Sequence, residues 1–184
     1  MAISLLESIK NTLQKTKVEK LAKIAIQQQI KVKDIIDLTF DADEQIGFRA
    51  AWILEHIYTY NPLKFVPYTT YFLDRFSSQD NLSARRHFAK IAALLTKKNA
   101  LPEIRALIQA YHTDIVVDAV FSWLIDENVP VAIKSHALNI LANLSIKHSW
   151  IKDELIQTMD YLLDKESIAF FAKVKQIRKQ LRQK

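Results

Sequence analysis

A single glycine, Gly47, in a chain of 184 residues sets the narrowest limit on what this protein can fold into. Phosphate-cradling loops and dinucleotide folds place two or three glycines at fixed spacing, so that backbone can approach a ligand. This sequence cannot supply them, which excludes P-loop nucleotide hydrolases and Rossmann enzymes. Four prolines beside that glycine are also too few turn residues for an all-β domain. Alanine, leucine, isoleucine, lysine and glutamine dominate, and helices tolerate or favour all of them.

With no cysteine, there is neither a disulfide framework nor a thiolate zinc site, and a cytoplasmic location is expected. The apolar patch from Ala2 to Leu6 is interrupted by Glu7, too short for a signal peptide and without a cleavage site. No stretch approaches the roughly 18 uninterrupted apolar residues of a spanning helix, so a soluble chain with no membrane partner is expected. The length suits one domain of about four or five stacked helix pairs. Net charge is +6, unevenly placed: residues 167–184 carry +6, residues 1–33 carry +5, and the middle carries −5. Two basic ends therefore flank an acidic centre.

Apolar residues recur at helical spacing throughout, broken by short polar joints. Thr16-Lys17-Val18-Glu19 reads as a capping box opening a helix to about Gln29. A helix over 32–40 leads through Asp41-Ala42-Asp43 into one over 43–60, where Ile46, Ala50, Ile53, Leu54 and Ile57 form one apolar face. Pro62 opens a helix over 62–76, followed by 83–98 and, after Pro102, by 102–111. Thr113 is the expected N-cap of 114–125, Pro130 starts 130–147, Ser149 caps 150–163, and 167–182 closes the chain. Paired as 32–40 with 43–60, 62–76 with 83–98, 114–125 with 130–147 and 150–163 with 167–182, the helices repeat at a period near 40, with 102–111 inserted.

An acidic residue in the turn within each pair, then a basic and a small residue early in the second helix, carries a resemblance. Asp41 and Asp43 precede Phe48-Arg49; Asp80 precedes Arg86 and Ala89; Asp126 precedes Ile133-Lys134 and Ala137; Asp164 precedes Lys173. Residues 32–182 resemble HEAT or armadillo repeats in this respect, with residues 1–31 as an atypical N-terminal cap. The resemblance implies an all-α, right-handed α-α superhelix of about four to five antiparallel pairs in a single helical-repeat domain. Trp52, Arg85 and Gln176 depart from the pattern.

The row Arg49, Arg86, Lys134 and Lys173 reads two ways. It could grip a phosphate backbone or an acidic peptide, or, as the resemblance implies, pair with the turn aspartates in a ladder that sets repeat stacking. The cluster Lys173, Lys175, Arg178, Lys179 and Arg182 has no acid near it in sequence and could bind nucleic acid, or simply solvate a terminal helix. Trp52, Trp123 and Trp150 are expected in packing. Some HEAT-like proteins are DNA glycosylases for alkylated bases, and Trp123 and Asp126 with Arg49 or Arg86 would be the distant analogue. Tyr58, Tyr60, Tyr68, Tyr71 and Phe72 concentrate rings at one joint, mostly as core, with any exposed rings available to a protein partner. His56, His87, His112, His136 and His148 lack metal-ligand spacing, no G-x-S-x-G elbow exists, and neither a catalytic residue, a metal nor a cofactor is expected. By elimination the expected function is a non-catalytic scaffold that binds a protein or peptide; the alternative is a nucleic-acid-binding protein related to the HEAT-like repair glycosylases.

Overall fold

A computed structural model of the chain describes residues 7, 9–10, 15–27 and 30–183. The Ala2 to Leu6 patch, the Thr16 side chain of the expected capping box, the expected helix end at Gln29, and Lys184 lie outside the described residues. Every element among the described residues is helical: α1 Lys15–Gln27, α2 Val32–Leu38, α3 Glu44–Tyr60, α4 Pro62–Phe65, a 3-10 turn Val66–Tyr68, α5 Thr69–Phe76, α6 Leu82–Leu95, α7 Pro102–Ala110, α8 Asp114–Ile125, α9 Val131–Leu144, α10 Trp150–Leu162 and α11 Ile168–Arg182. None of them is long and apolar enough to cross a membrane.

Local chemistry fixes most of these boundaries. Asp43 caps α3 by accepting from the amides of Gln45 and Ile46. Asn81 does the same for α6 through the amides of Ser83 and Ala84, and Pro62 and Pro102 sit in the first turns of α4 and α7, where no amide hydrogen is needed. The expected helix over 62–76 is three pieces instead. Pro67 has no N–H to donate and its ring crowds the preceding turn, so the helix tightens to 3-10 geometry there before α5 resumes. Thr113 and Ser149 occupy their expected N-cap positions but make no capping bond; the Thr113 hydroxyl lies 2.6 Å from His148 Nε2.

The helices form two compact units, residues 1–91 and 92–184. In the first, α1 and α2 pack against α3, whose predicted face of Ile46, Ala50, Ile53, Leu54 and Ile57 is buried. Its centre is a set of fully buried phenylalanines, Phe65 on α4, Phe72 and Phe76 on α5, and Phe88 on α6. Their rings meet edge-on or tilted, with Phe72 and Phe88 4.8 Å apart. In the second unit α9 is central, packed against α8, α10 and α11, and buries Ile133, Ala137, Leu138, Ile140, Leu141 and Leu144.

Gly47 earns its place by close approach. It lies in α3 beneath the end of α2, and a Cβ there would come within 2.9 Å of the Thr39 carbonyl oxygen, which is backbone and cannot swing away. Alanine would gain up to about 1 kcal/mol of helix propensity, yet forced overpacking costs about 1–3 kcal/mol. Gly47→Ala is therefore expected to lower stability by about 1 kcal/mol, read as an earlier urea midpoint. A later midpoint would show that α2 moves aside at no cost.

The repeat is written into the polar contacts as well as the packing. In the first unit Arg49 Nη1 donates to the carbonyls of Ile9 and Lys10 at 2.9 and 2.8 Å. Lys64 donates to the Ile26 carbonyl at 3.0 Å, Gln79 to that of Thr39 at 3.2 Å and Asn81 to that of Glu44 at 2.8 Å. These reaches span 37 to 40 residues. In the second unit Lys147 donates to the Ile108 carbonyl, 39 residues back. Asn143 reaches the Ala93 carbonyl across 50 residues, with α7 and α8 between. Lys64 and Lys147 each meet the carboxyl end of a helix one repeat earlier, where a cation opposes the negative end of the helix dipole.

Candidate functional site

Beside its buried face, α3 carries rings at positions 48, 52, 56 and 60, one helical turn apart. Phe48 and Trp52 stack with centroids 5.8 Å apart at 25°, and His56 and Tyr60 stack at 5.8 Å and 28°. From α6, His87 is brought to 5.6 Å from Phe48 and 6.1 Å from Trp52, nearly parallel to the indole at 20°. Phe48, Trp52 and His87 thus form a three-ring platform in which Phe48 and Trp52 remain half-exposed. Lys23 lies over the Tyr60 ring at 5.4 Å.

A buried carboxylate holds the platform in place. Glu55, one turn along α3, is 7 % exposed and faces two donors from α6: His87 Nδ1 at 2.6 Å and Lys90 Nζ at 2.5 Å. Burial works against its charge, but the two hydrogen bonds and the charges behind them prevail and lower its pKa from 4.5 to about 2. An ionised carboxylate only accepts, so Nδ1 carries the shared hydrogen. A carboxylate with a depressed folded-state pKa contributes stability above its unfolded value. That contribution is lost as pH falls from about 4.5 toward 2. The melting temperature of wild type is expected to fall through this window, and Glu55→Gln, already lacking the charge, should fall less. Parallel pH profiles for the two proteins would refute the assignment.

The residues singled out in the sequence divide sharply. Arg49 is half-buried and committed to the Ile9 and Lys10 carbonyls. Lys134 is 1 % exposed and pairs with Glu166, so it cannot present a charge to a partner. Its placement in a binding row is corrected: the ammonium is part of the packing between α9 and the turn before α11. Of the turn aspartates, Asp43 caps α3, and Asp126 accepts from the backbone and side-chain amides of Asn128. Lys173 is half-buried, donates to Gln176 at 2.9 Å, and has its pKa lowered by burial and by Lys97. Arg178 pairs with Asp160, while Arg86, Lys175, Lys179 and Arg182 are exposed.

Among the tryptophans, Trp123 is buried as expected, which removes it from contact with any base. Trp150, at the first turn of α10, is 49 % exposed and stacks on Phe121 at 6.1 Å instead of entering the core. Of the ring concentration, Phe72 and Tyr58 are buried and Tyr60 is 45 % exposed. No three histidine or acidic side chains among the described residues gather as a metal site would require. Sequence reasoning missed the Glu55–His87 pair, whose members are 32 residues apart on different helices; the available signal was one acid inside the largely apolar run from Ile53 to Tyr58.

A family model described as a HEAT repeat domain matches residues 5–181. No curated protein and no solved structure matches the chain.

Proposed function

We propose, because this chain belongs to the HEAT repeat family, that it is a non-catalytic cytoplasmic scaffold binding a protein or peptide through the faces of its second helices. Family membership supports a right-handed superhelix of four to five antiparallel pairs, and the 37 to 40-residue reach of the cross-repeat hydrogen bonds in the first unit fits its repeat. The observation that carries the binding reading is the Phe48–Trp52–His87 platform. Aromatic rings that are half-buried, stacked and held by a buried carboxylate lose little entropy on binding, and such rings dominate interface energetics. Exposed Arg86 on α6 and half-exposed Lys90 put cations on the same helix as His87, which favours an acidic or carboxylate-bearing segment.

The test is a displayed-peptide selection against the wild-type protein, with each isolated peptide then titrated against Trp52→Ala. Truncating a central ring at an interface typically costs about 2 kcal/mol or more. Binding is therefore expected to weaken at least about thirtyfold. Peptides that bind both proteins equally would place the interaction elsewhere.

A second reading, single-stranded nucleic acid, is favoured by the same platform, since bases stack on such rings, and by exposed Lys175, Lys179 and Arg182 on α11. Anisotropy of a labelled oligonucleotide at low and moderate salt decides it. Steeply salt-dependent binding, weakened by Trp52→Ala, would support it, whereas no binding at low salt would end it.

A further inference from the structure

The second unit contains a cavity of about 400 Å³ that neither reading uses. It lies among the carboxyl ends of α6, α7 and α9. Its lining includes Lys97, Lys98, Arg105 and Lys147 and no carboxylate, over an apolar floor that includes Leu95 and Ile108. That volume falls within the range of small-molecule sites, about 300–1,000 Å³.

The plain explanation of the lysines is helix chemistry, since cations favour the carboxyl ends of helices. That accounts for part of the charge. Three helix ends together carry the equivalent of roughly −1.5 charges, against four cationic side chains. Lys147 is the one spent on this role: its ammonium donates to the Ile108 carbonyl at 2.9 Å and to that of Tyr111, at the end of α7. Lys97, Lys98 and Arg105 are exposed and line the cavity, with no such bond among the described residues. The local field is positive enough to be felt nearby: after burial, Lys97 is what pushes the Lys173 ammonium below its ordinary range. Burial lowers Lys147 as well, against the pull of Asp114, which lies outside the lining.

We propose that this cavity binds a phosphate monoester of mononucleotide size, with Lys97, Lys98 and Arg105 on the phosphate and the apolar floor under the body that carries it. A dianion matches the excess of cations, and guanidinium with phosphate forms paired charge-assisted hydrogen bonds. The floor distinguishes this ligand from inorganic phosphate alone, because it gains only when an apolar or aromatic body covers it.

The experiment is titration of the full chain with adenosine 5′-monophosphate at low salt, followed by phosphorus NMR and calorimetry, with adenosine and inorganic phosphate as separate probes. Binding of the monophosphate at least about tenfold tighter than of either probe is expected. Losing one charge-assisted contact should weaken it about tenfold, so Arg105→Gln and Lys98→Gln should each do so. Lys175→Gln with Lys179→Gln, which alters cations on α11, should leave it unchanged. Because Lys98 and Arg105 are exposed, these variants are expected to fold, which circular dichroism checks. Four results would overturn the proposal: no binding at millimolar monophosphate, equal binding of adenosine, equal loss in the α11 variant, or equal displacement by an oligonucleotide lacking a terminal phosphate. The last would assign the cavity to a nucleic-acid path instead.

Discussion

Phe88→Ala is expected to lower the stability of the first unit by about 3–5 kcal/mol, the cost of opening a phenylalanine-sized hole in a core that cannot collapse around it. Phe88 is fully buried and touches three other rings: Phe40 edge-on at 5.8 Å, Phe72 at 4.8 Å and Phe76 at 6.5 Å. Those rings come from two separate segments, the end of α2 and α5, so no single side chain can shift to fill the space. The effect should be confined to its own unit. Trp52 is the only tryptophan among residues 1–91, so a Trp123→Phe, Trp150→Phe background makes fluorescence report on that unit alone. Urea unfolding followed this way should move to a much lower midpoint. A change under about 1 kcal/mol would mean that the phenylalanine set repacks, as cores do only when volume is conserved.

Glu166→Ala should be nearly as damaging in the second unit, by about 3 kcal/mol, although Glu166 is a turn residue. The reason lies in its partner. Lys134 is 1 % exposed, and removing the carboxylate strands its ammonium in the packing around α9. Lys134→Met is expected to cost far less, because it removes the charge together with its need for a partner and keeps an unbranched apolar chain. The asymmetry between the two variants is the signature of a buried pair. Equal, small effects would instead show Lys134 reaching solvent and restore it as a candidate binding residue. The double variant should resemble Lys134→Met alone, and chemical denaturation of all three measures the coupling directly.

What the sequence disclosed and what it withheld follow a physical line. Helix limits were legible where a side chain settles them within a few residues, as at Asp43, Pro62 and Pro102. The break at Pro67 could also have been read, since the residue was in plain view within 62–76. The HEAT repeat family was legible because its acid and base markers recur along the chain. The partners of Arg49 were not, because they are carbonyls of Ile9 and Lys10, and a carbonyl leaves no mark on sequence. Glu55 and His87 lie 32 residues apart, and nothing local tells either that the other is opposite. Exposure was the weakest point: Lys134 lay inside and Trp150 outside, each against the habit of its residue type. The cations of the second-unit cavity escaped attention for a related reason, being brought together by three helices and not by spacing along one.

Many of the hydrogen bonds that join repeats run from a side chain to a backbone carbonyl: Arg49 to Ile9 and Lys10, Lys64 to Ile26, Gln79 to Thr39, Asn81 to Glu44 and Lys147 to Ile108. Only one end of each bond is encoded by a particular amino acid. A substitution at the gripped position leaves the oxygen where it was, so the two ends need not change in concert. At these positions neighbouring repeats can diverge independently while the junction persists, and co-variation would mark instead the junctions closed by two side chains, such as Glu55–His87, Lys134–Glu166 and Gln180–Asn143. A lineage of such units could lose nearly all likeness among its members before it lost the architecture, provided each retained one long donor in the right turn.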